Sequence, residues 1–425
     1  MTFFVFLAAF VPAVLLLTAI PFLLLTNAGY FVRKTFPPVE TFGRYAVLIP
    51  ARNEESVIGD AIESIRRAEH GDKIDIFVAA HNCTDRTARL AADAGAAVLE
   101  VQNPAEKTKG FALRALVADL QKKGLLQNYD GFFIFDADNL VSKTYFSKMN
   151  DAFCYYGKKN PVCGYRNSRN FGENLISSLY GVYLLVNTCI ENRARTVFGI
   201  SSVIRGTGYL LPTHCLKNGW EYCTLTEDWE LSAALILQNT SIMYCDEAEF
   251  FDEQPTRILV MLRQRKRWAA GHWIVVKQSF LRSVAALFRR GEKGIRTRLS
   301  LYCLVSALNP VCSALTANSV LMFLVSLCSA LLGASLGEWL KIWFAENLVP
   351  ILLFCFWCLF SAARVFFSER KRIRNVGLFL KIMTVLAYPI FYLLVFPLQW
   401  AAFLSRKNAW ETVPHSSHDR PDMEE

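Results

Sequence analysis

The sequence predicts an α/β protein built on a parallel, doubly wound sheet and joined to apolar helices of membrane-spanning length. Three observations carry this. Residues 44–165 alternate short apolar runs with helical patterns, the signature of strands linked by crossover helices. Each apolar run ends in a polar cluster. Hydrophobic residues make up 53% of the 425-residue chain, mean hydropathy is positive, and residues 1–32 and 299–337 carry no charge.

The elements follow in order. Residues 45–49 are a short apolar run ending at Pro50, the first strand. Ile58, Ile62 and Ile65 recur at helical spacing. Residues 74–80 form the second strand. Thr84 caps a helix running through Ala94, and residues 98–101 form the third strand. Residues 106–123 read as a helix. Residues 131–135 lead as a buried strand into FFIFDADN, residues 132–139. Asp136 and Asp138 thus stand at the carboxyl end of a buried strand, where open α/β sheets bind ligands. Two carboxylates spaced this way can share a divalent cation that offsets pyrophosphate charge. A lone pair of this kind also suits a helix cap or a loop.

The other strand ends carry PARNEE (50–55), HNCTD (81–85) and EKTKG (106–110). Four polar clusters on one sheet edge point to a single ligand site. Further along, Gly206-Thr-Gly208 suits close backbone approach to a ligand or a plain turn. Glu227 and Asp228 open a helical pattern reaching Leu237. They fit a helix cap, and Asp228 fits a general base taking a proton from a hydroxyl. Gln264-Arg-Lys-Arg-Trp268 offers fixed positive charge for phosphates and a flat ring for a sugar. The same run also suits a basic interfacial helix with snorkelling arginines.

The formal charge of +9 is concentrated between residues 257 and 298, with twelve Lys/Arg against one acid, Glu292. A basic block beside apolar segments indicates a cytoplasmic membrane surface rather than nucleic acid. The twelve cysteines follow no framework spacing and read as reduced, buried thiols. The pair Cys355 and Cys358 lies inside an apolar run and reads as packing. Residues 3–25 are long enough to cross a bilayer. A cleaved signal peptide is the rival reading, but the run is too long and has no basic start. Arg33 and Lys34 then place the following segment in the cytoplasm. Later spans are expected within 299–337, at 347–363 and at 382–404, with a cytoplasmic basic loop at 370–374. The expected organisation is a transmembrane helix in 1–40, a globular domain in 41–250, basic interfacial helices in 251–298, a transmembrane region in 299–407 and a polar tail in 408–425. The side of that tail stays open.

With these motifs in hand, the chain resembles the membrane-integrated family-2 inverting glycosyltransferases, which include hyaluronan, chitin, cellulose and poly-N-acetylglucosamine synthases and the ceramide glucosyltransferases. The likeness covers roughly residues 45–273 and rests on the order of PARNE, NCTD, DAD, GTG, TED and QRKRW. It implies a GT-A type sheet facing the cytoplasm, a nucleotide-sugar donor (usually a UDP-sugar), and Mg2+ or Mn2+ bound mainly through Asp138 with Asp136 beside it. It implies Asp228, with Glu227, as the catalytic acids. Gln264, Arg267, Trp268 and Gly208 would hold the diphosphate and acceptor. Pro50, Arg52, Glu54, His81, Asp85 and Lys109 would line the nucleotide pocket with Asp136. Family members often carry an acid where His81 stands, which leaves Asp85 as the nearest acid. The expected product is an elongating β-linked polysaccharide; the alternative is one sugar placed on a membrane lipid. The expected partners are the donor, a saccharide or lipid acceptor and membrane lipids, with no nucleic acid. A homo-oligomer stays open. The expected location is the cell membrane, multi-pass, with a cytoplasmic catalytic domain.

Overall fold

A computed structural model describes residues 24, 26–288, 294, 297–301, 336–374, 376–394, 397–398 and 401–402. Eight strands form one sheet: β1 (Tyr45–Ala51), β2 (Asp75–His81), β3 (Ala97–Val101), β4 (Gly131–Ile134), β5 (Leu140–Val141), β6 (Val162–Ser168), β7 (Tyr209–Pro212) and β8 (Met243–Asp252). Their order is β3-β2-β1-β4-β7-β6-β8-β5. The first four neighbours are parallel, as expected, but β7 runs antiparallel to β4 and to β6. The sheet is therefore mixed. The wholly parallel expectation is corrected because a strand entering after Gly208 runs back along β4.

Alternation along the strands builds both faces. Ala46, Leu48, Phe132 and Ile134 point to one side, against Leu113, Leu116, Val117 and Leu120 of α3 (Lys109–Lys122). Val47, Ile49, Phe133 and Phe135 point to the other. There they meet Ile58, Ile62 and Ile65 of α1 (Ile58–Arg67) and Tyr145, Phe146, Met149 and Phe153 of α4 (Tyr145–Tyr155). Each of these large side chains contributes about 1.5–3 kcal/mol by leaving water. The helix expected to start at Thr84 is α2 (Thr87–Asp93), and Thr84 is not its cap. Asp85 takes over the start, accepting from the Thr87 N–H at 3.1 Å and hydroxyl at 2.6 Å.

After β6, α5 (Leu175–Leu184) starts on a capping box, with Asn174 accepting from the Ile176 and Ser177 N–H groups at 2.9 and 3.0 Å. It widens to a π-turn over Leu185–Ile190 and continues as α6 (Glu191–Val197). Then come α7 (Glu227–Leu237), the 31-residue α8 (Ile258–Phe288), α9 (Leu336–Ser368) and α10 (Leu378–Leu393). Among the described residues, one segment, Ile351–Ser368, is long and apolar enough to cross a membrane. The expected span at 347–363 falls in α9, and the one at 382–404 begins in α10. The expected spans at 3–25 and 299–337 lie almost wholly outside the described residues, as does the tail. Cys358 is buried in the apolar cluster and half-buried Cys355 packs against it.

A buried ionic junction ties the end of α9 to the sheet. Glu369 lies 3.0 Å from Arg193 and 3.2 Å from Arg33, and accepts from the Tyr165 hydroxyl at 3.0 Å. Arg193 also meets Asp246 at 2.6 Å. From the basic loop, Arg372 covers the Tyr165 ring at 3.9 Å and donates to the Asp246 carbonyl at 2.8 Å. The two basic segments thus converge on β6 and β8.

Candidate active site

The carboxyl ends of β1, β2 and β4 and the starts of α3 and α7 meet at one edge. Burial of β4 on both faces fixes where Asp136 and Asp138 emerge. The Asp136 N–H donates to Asn139 Oδ1 at 3.0 Å and to the Thr207 hydroxyl oxygen at 2.9 Å. The Thr207 hydroxyl itself donates to Asn139 Oδ1. Asn139 Nδ2 in turn donates to Asp138 Oδ1 at 3.0 Å. The turn is therefore rigid and Asp138 is oriented by its neighbour. Gly208 holds the other side with φ of +66°, and a Cβ there would lie 2.0 Å from the Phe250 ring. Its N–H donates to the Ile134 carbonyl at 2.9 Å.

Lys109, first residue of α3, joins these parts. Its Nζ lies 2.5 Å from Asp136 Oδ1 and 3.7 Å from Glu227 Oε1, and donates to the Gly206 carbonyl at 2.7 Å. Burial opposes its charge, but Asp136 and Glu227 hold the ammonium above its ordinary value. Burial pushes the Glu227 carboxyl up to about 7; Lys109 pulls it back, while Asp228 and Asp136 push it further. Asp228 is raised too, again by burial, against backbone N–H donors, Lys109 and Arg205. Glu227 is buried and turned to Lys109, whereas Asp228 is half-buried and open to the edge.

Helix α8 is set against the start of α7 by Gly271, where a Cβ would meet the Thr226 side chain at 2.5 Å. This brings in the QRKRW run. The Tyr180 hydroxyl donates to Gln264 Oε1 at 2.5 Å, and the Trp268 ring tilts against Tyr180 at 5.9 Å. Burial pulls the Arg267 guanidinium below its ordinary value, and Glu227, Tyr180, Asp136 and Asp228 oppose that pull. The charges of those carboxylates are thus felt at Arg267. Arg265 faces away, 4% exposed, with its guanidinium 4.1 Å from Phe391 and 4.2 Å from Tyr183. It clamps α8 to α5 and α10.

The β1 and β2 loops lie beside this centre. Pro50 lies inside β1, which runs one residue further to Ala51, and Arg52 and Glu54 follow half-buried. The Glu54 N–H donates to the Thr87 hydroxyl oxygen at 2.8 Å, and the Glu55 N–H to Asp85 at 3.1 Å. Burial alone would raise the Asp85 carboxyl, but donors from Thr87 and Glu55 hold it below the usual range. That carboxylate is thus occupied in joining two loops. His81 is buried, and burial lowers its pKa against the pull of Glu106. Glu106, half-buried, has Oε2 3.8 Å from His81 Nε2. Asn82 locks the loop there by donating to the Asn103 and Glu106 carbonyls at 2.9 Å each.

Sequence reading placed Glu106 in the EKTKG cluster but gave it no role of its own, because its nearness to His81 depends on how the β3 loop folds back. Arg205 was missed. It pairs with Glu191 at 3.2 Å and covers the Trp229 ring at 5.1 Å, next to Asp228. Asn139 was legible as the residue completing DADN, but its orienting bond was not.

The site's two strand-end carboxylates suit an octahedral ion that completes its shell with phosphate and water. Asp136 keeps 36% of its side chain exposed and Asp138 is held by Asn139, so both residues fit such an ion. Among the described residues, no group of three or more His, Cys, Asp or Glu converges as an all-protein metal cage.

A family model described as glycosyltransferase like family 2 matches residues 43–271, more than half of the chain. The chain belongs to that family. Among its relatives are a probable glycosyltransferase, YdaM, of Bacillus subtilis and the poly-beta-1,6-N-acetyl-D-glucosamine synthase of Staphylococcus epidermidis. The first is 26% identical over 59% of this chain and 60% of that protein. The second is 25% identical over 60% of each. The beta-monoglucosyldiacylglycerol synthase of Synechocystis is 25% identical over 54% of this chain and 48% of that protein. The chain thus spans about half to three fifths of the length of these family-2 relatives. A mannosyltransferase from Pyrobaculum calidifontis, solved with GDP-mannose and Mn2+, shares the fold. Its TM-score is 0.56 at 14% identity, over 92% of this chain and 99% of that one.

Proposed function

We propose that this family-2 member transfers a sugar from a nucleotide-sugar donor, with inversion, to an acceptor hydroxyl at the inner membrane face. The observation carrying this reading is the convergence of Lys109, Asp136 and Glu227 beside half-buried Asp228, with Arg267 feeling the same carboxylate charges. In this mechanism Asp228 takes the acceptor proton as the acceptor oxygen bonds to the sugar's anomeric carbon. The bond from that carbon to the diphosphate breaks on the opposite face, and the nucleoside diphosphate leaves. Its raised pKa makes Asp228 a better base than an exposed aspartate. Arg267 and Lys109 hold the departing diphosphate with fixed positive charge. A Mg2+ or Mn2+ ion held by Asp138 and Asp136 would supply charge neutralisation of the leaving group. Glu227 keeps Lys109 in place rather than acting on the acceptor.

The finer reading is a UDP-sugar donor and an elongating β-linked polysaccharide, with Trp268 as the platform for the chain end. The domain lies in the cytoplasm, flanked by spans of a multi-pass cell-membrane protein. The alternative, one sugar added to a membrane lipid, is favoured by the likeness to a beta-monoglucosyldiacylglycerol synthase. Asp228→Asn tests the mechanism. The variant should bind the donor normally and lose on the order of 100- to 10,000-fold in transfer. Collapse of donor affinity with near-normal residual turnover would assign Asp228 to binding instead.

A further inference from the structure

Lys109 has a second role written into its contacts. Its ammonium sits 2.5 Å from Asp136 Oδ1, on one of the two carboxylates that fit a divalent ion. Its other described contacts are the Gly206 carbonyl at 2.7 Å and Glu227 at 3.7 Å. Both are fixed by the fold: Gly206 lies on the left-handed turn leading into β7, with φ of +86°, and Glu227 opens α7. The cation therefore lies on the metal edge of the site whenever that edge carries no other positive charge. A divalent ion added at Asp136 and Asp138 alone would meet a like charge held within one contact distance of its ligand. A diphosphate arriving with the ion changes this, because its oxygens offer Lys109 new acceptors.

We propose that Lys109 is an internal counter-ion that couples metal binding to diphosphate binding, so that the ion is held tightly only when the nucleotide is present. The inference rests on the nucleotide-sugar reading and adds to it a reason for ordered loading. Lys109 occupies Asp136 in the empty site. When the nucleoside diphosphate enters, the ammonium turns from Asp136 to the phosphates and frees the carboxylate for the ion. By linkage, the factor by which the diphosphate tightens the metal equals the factor by which the metal tightens the diphosphate.

The test is direct binding by purified full-length protein, with no turnover involved. Free Mn2+ is followed by electron paramagnetic resonance, with and without UDP and GDP, in wild type, Lys109→Met and Lys109→Arg. Wild type should bind Mn2+ at least tenfold more tightly with the diphosphate than without. Lys109→Met should bind Mn2+ alone at least tenfold more tightly than wild type, bind the diphosphate alone more weakly, and show a smaller coupling factor. Lys109→Arg should keep the coupling. A merely structural lysine would weaken both ligands together, so that result overturns the inference. Unchanged Mn2+ affinity in Lys109→Met with intact nucleotide binding also overturns it while leaving the donor reading in place. Failure of wild type to bind any nucleoside diphosphate with Mn2+ sinks both.

Discussion

Glu369→Gln removes one negative charge from the junction that ties α9 to the sheet. Glu369 is 1% exposed, and it neutralises Arg193, which is equally buried. With the charge gone, Arg193, Arg33 and Arg372 share Asp246, at 2.6, 3.9 and 3.5 Å, and only Arg372 also reaches Glu249, at 4.0 Å. Breaking a buried ion pair costs about 3–5 kcal/mol. Glutamine still accepts hydrogen bonds from Tyr165 and Arg193, so the lower end, about 3 kcal/mol, is expected. For a domain of about 250 residues that corresponds to a fall of roughly 6–12 °C in Tm. The pH dependence supplies a second check. Burial alone would raise the Glu369 carboxyl, but Arg193, Arg33 and Arg372 outweigh it and hold the group below its ordinary 4.5. A depressed carboxyl contributes stability above the unfolded value and loses it as pH falls through the folded one. Wild type and Glu369→Gln should therefore differ at neutral pH and converge well below 4.5. Thermal unfolding of the purified protein in detergent, from neutral to acid pH, measures both effects. An unchanged Tm at neutral pH, or a gap that persists through the acid range, would refute the account of the junction.

Two further predictions concern the ligands. Trp268→Ala should shorten or abolish the product chain while donor hydrolysis falls less, read by product length against time. A wild-type product that stays a single-sugar, organic-soluble lipid would overturn the polymer reading and support the alternative. On the proposed UDP-sugar reading, the Glu106 carboxylate beside His81 would accept the uracil ring N–H through a charge-assisted bond, so Glu106→Gln should lower UDP affinity about tenfold. CDP affinity, lacking that N–H, should not fall, and equal losses for both nucleotides would remove Glu106 from base recognition.

The first half of the sheet was legible because β1 and β4 are continuous apolar runs, buried on both faces. The second half was not. In β6, Arg166, Asn167 and Ser168 form no apolar run, yet Arg166 pairs with Asp252 and Asn167 donates to Glu249 at 2.8 Å. Those partners lie on β8, more than eighty residues away, so no local pattern reveals them. The four residues of β7 are too few to show a period. At the site, the acids of DAD and TED stood out by residue type and position. The distinction between Glu227 and Asp228 did not, since it depends on which side chain meets Lys109. Asp85 and Glu106 show the same limit: one carboxylate is used up by neighbouring N–H groups and the other is brought to His81 by a loop.

In the proposed function, Asp136, Asp138 and Asp228 carry metal-dependent sugar transfer from a nucleotide donor. Purified protein in lipid is incubated with a panel of radiolabelled UDP- and GDP-sugars, with Mn2+ or with chelator, and compared with Asp138→Asn. An amide replaces an anionic metal ligand poorly. Wild type should release nucleoside diphosphate and build labelled product from at least one donor, and both chelation and Asp138→Asn should stop it while the variant stays folded. Undiminished transfer by Asp138→Asn, or no turnover of any donor by wild type, would contradict the account.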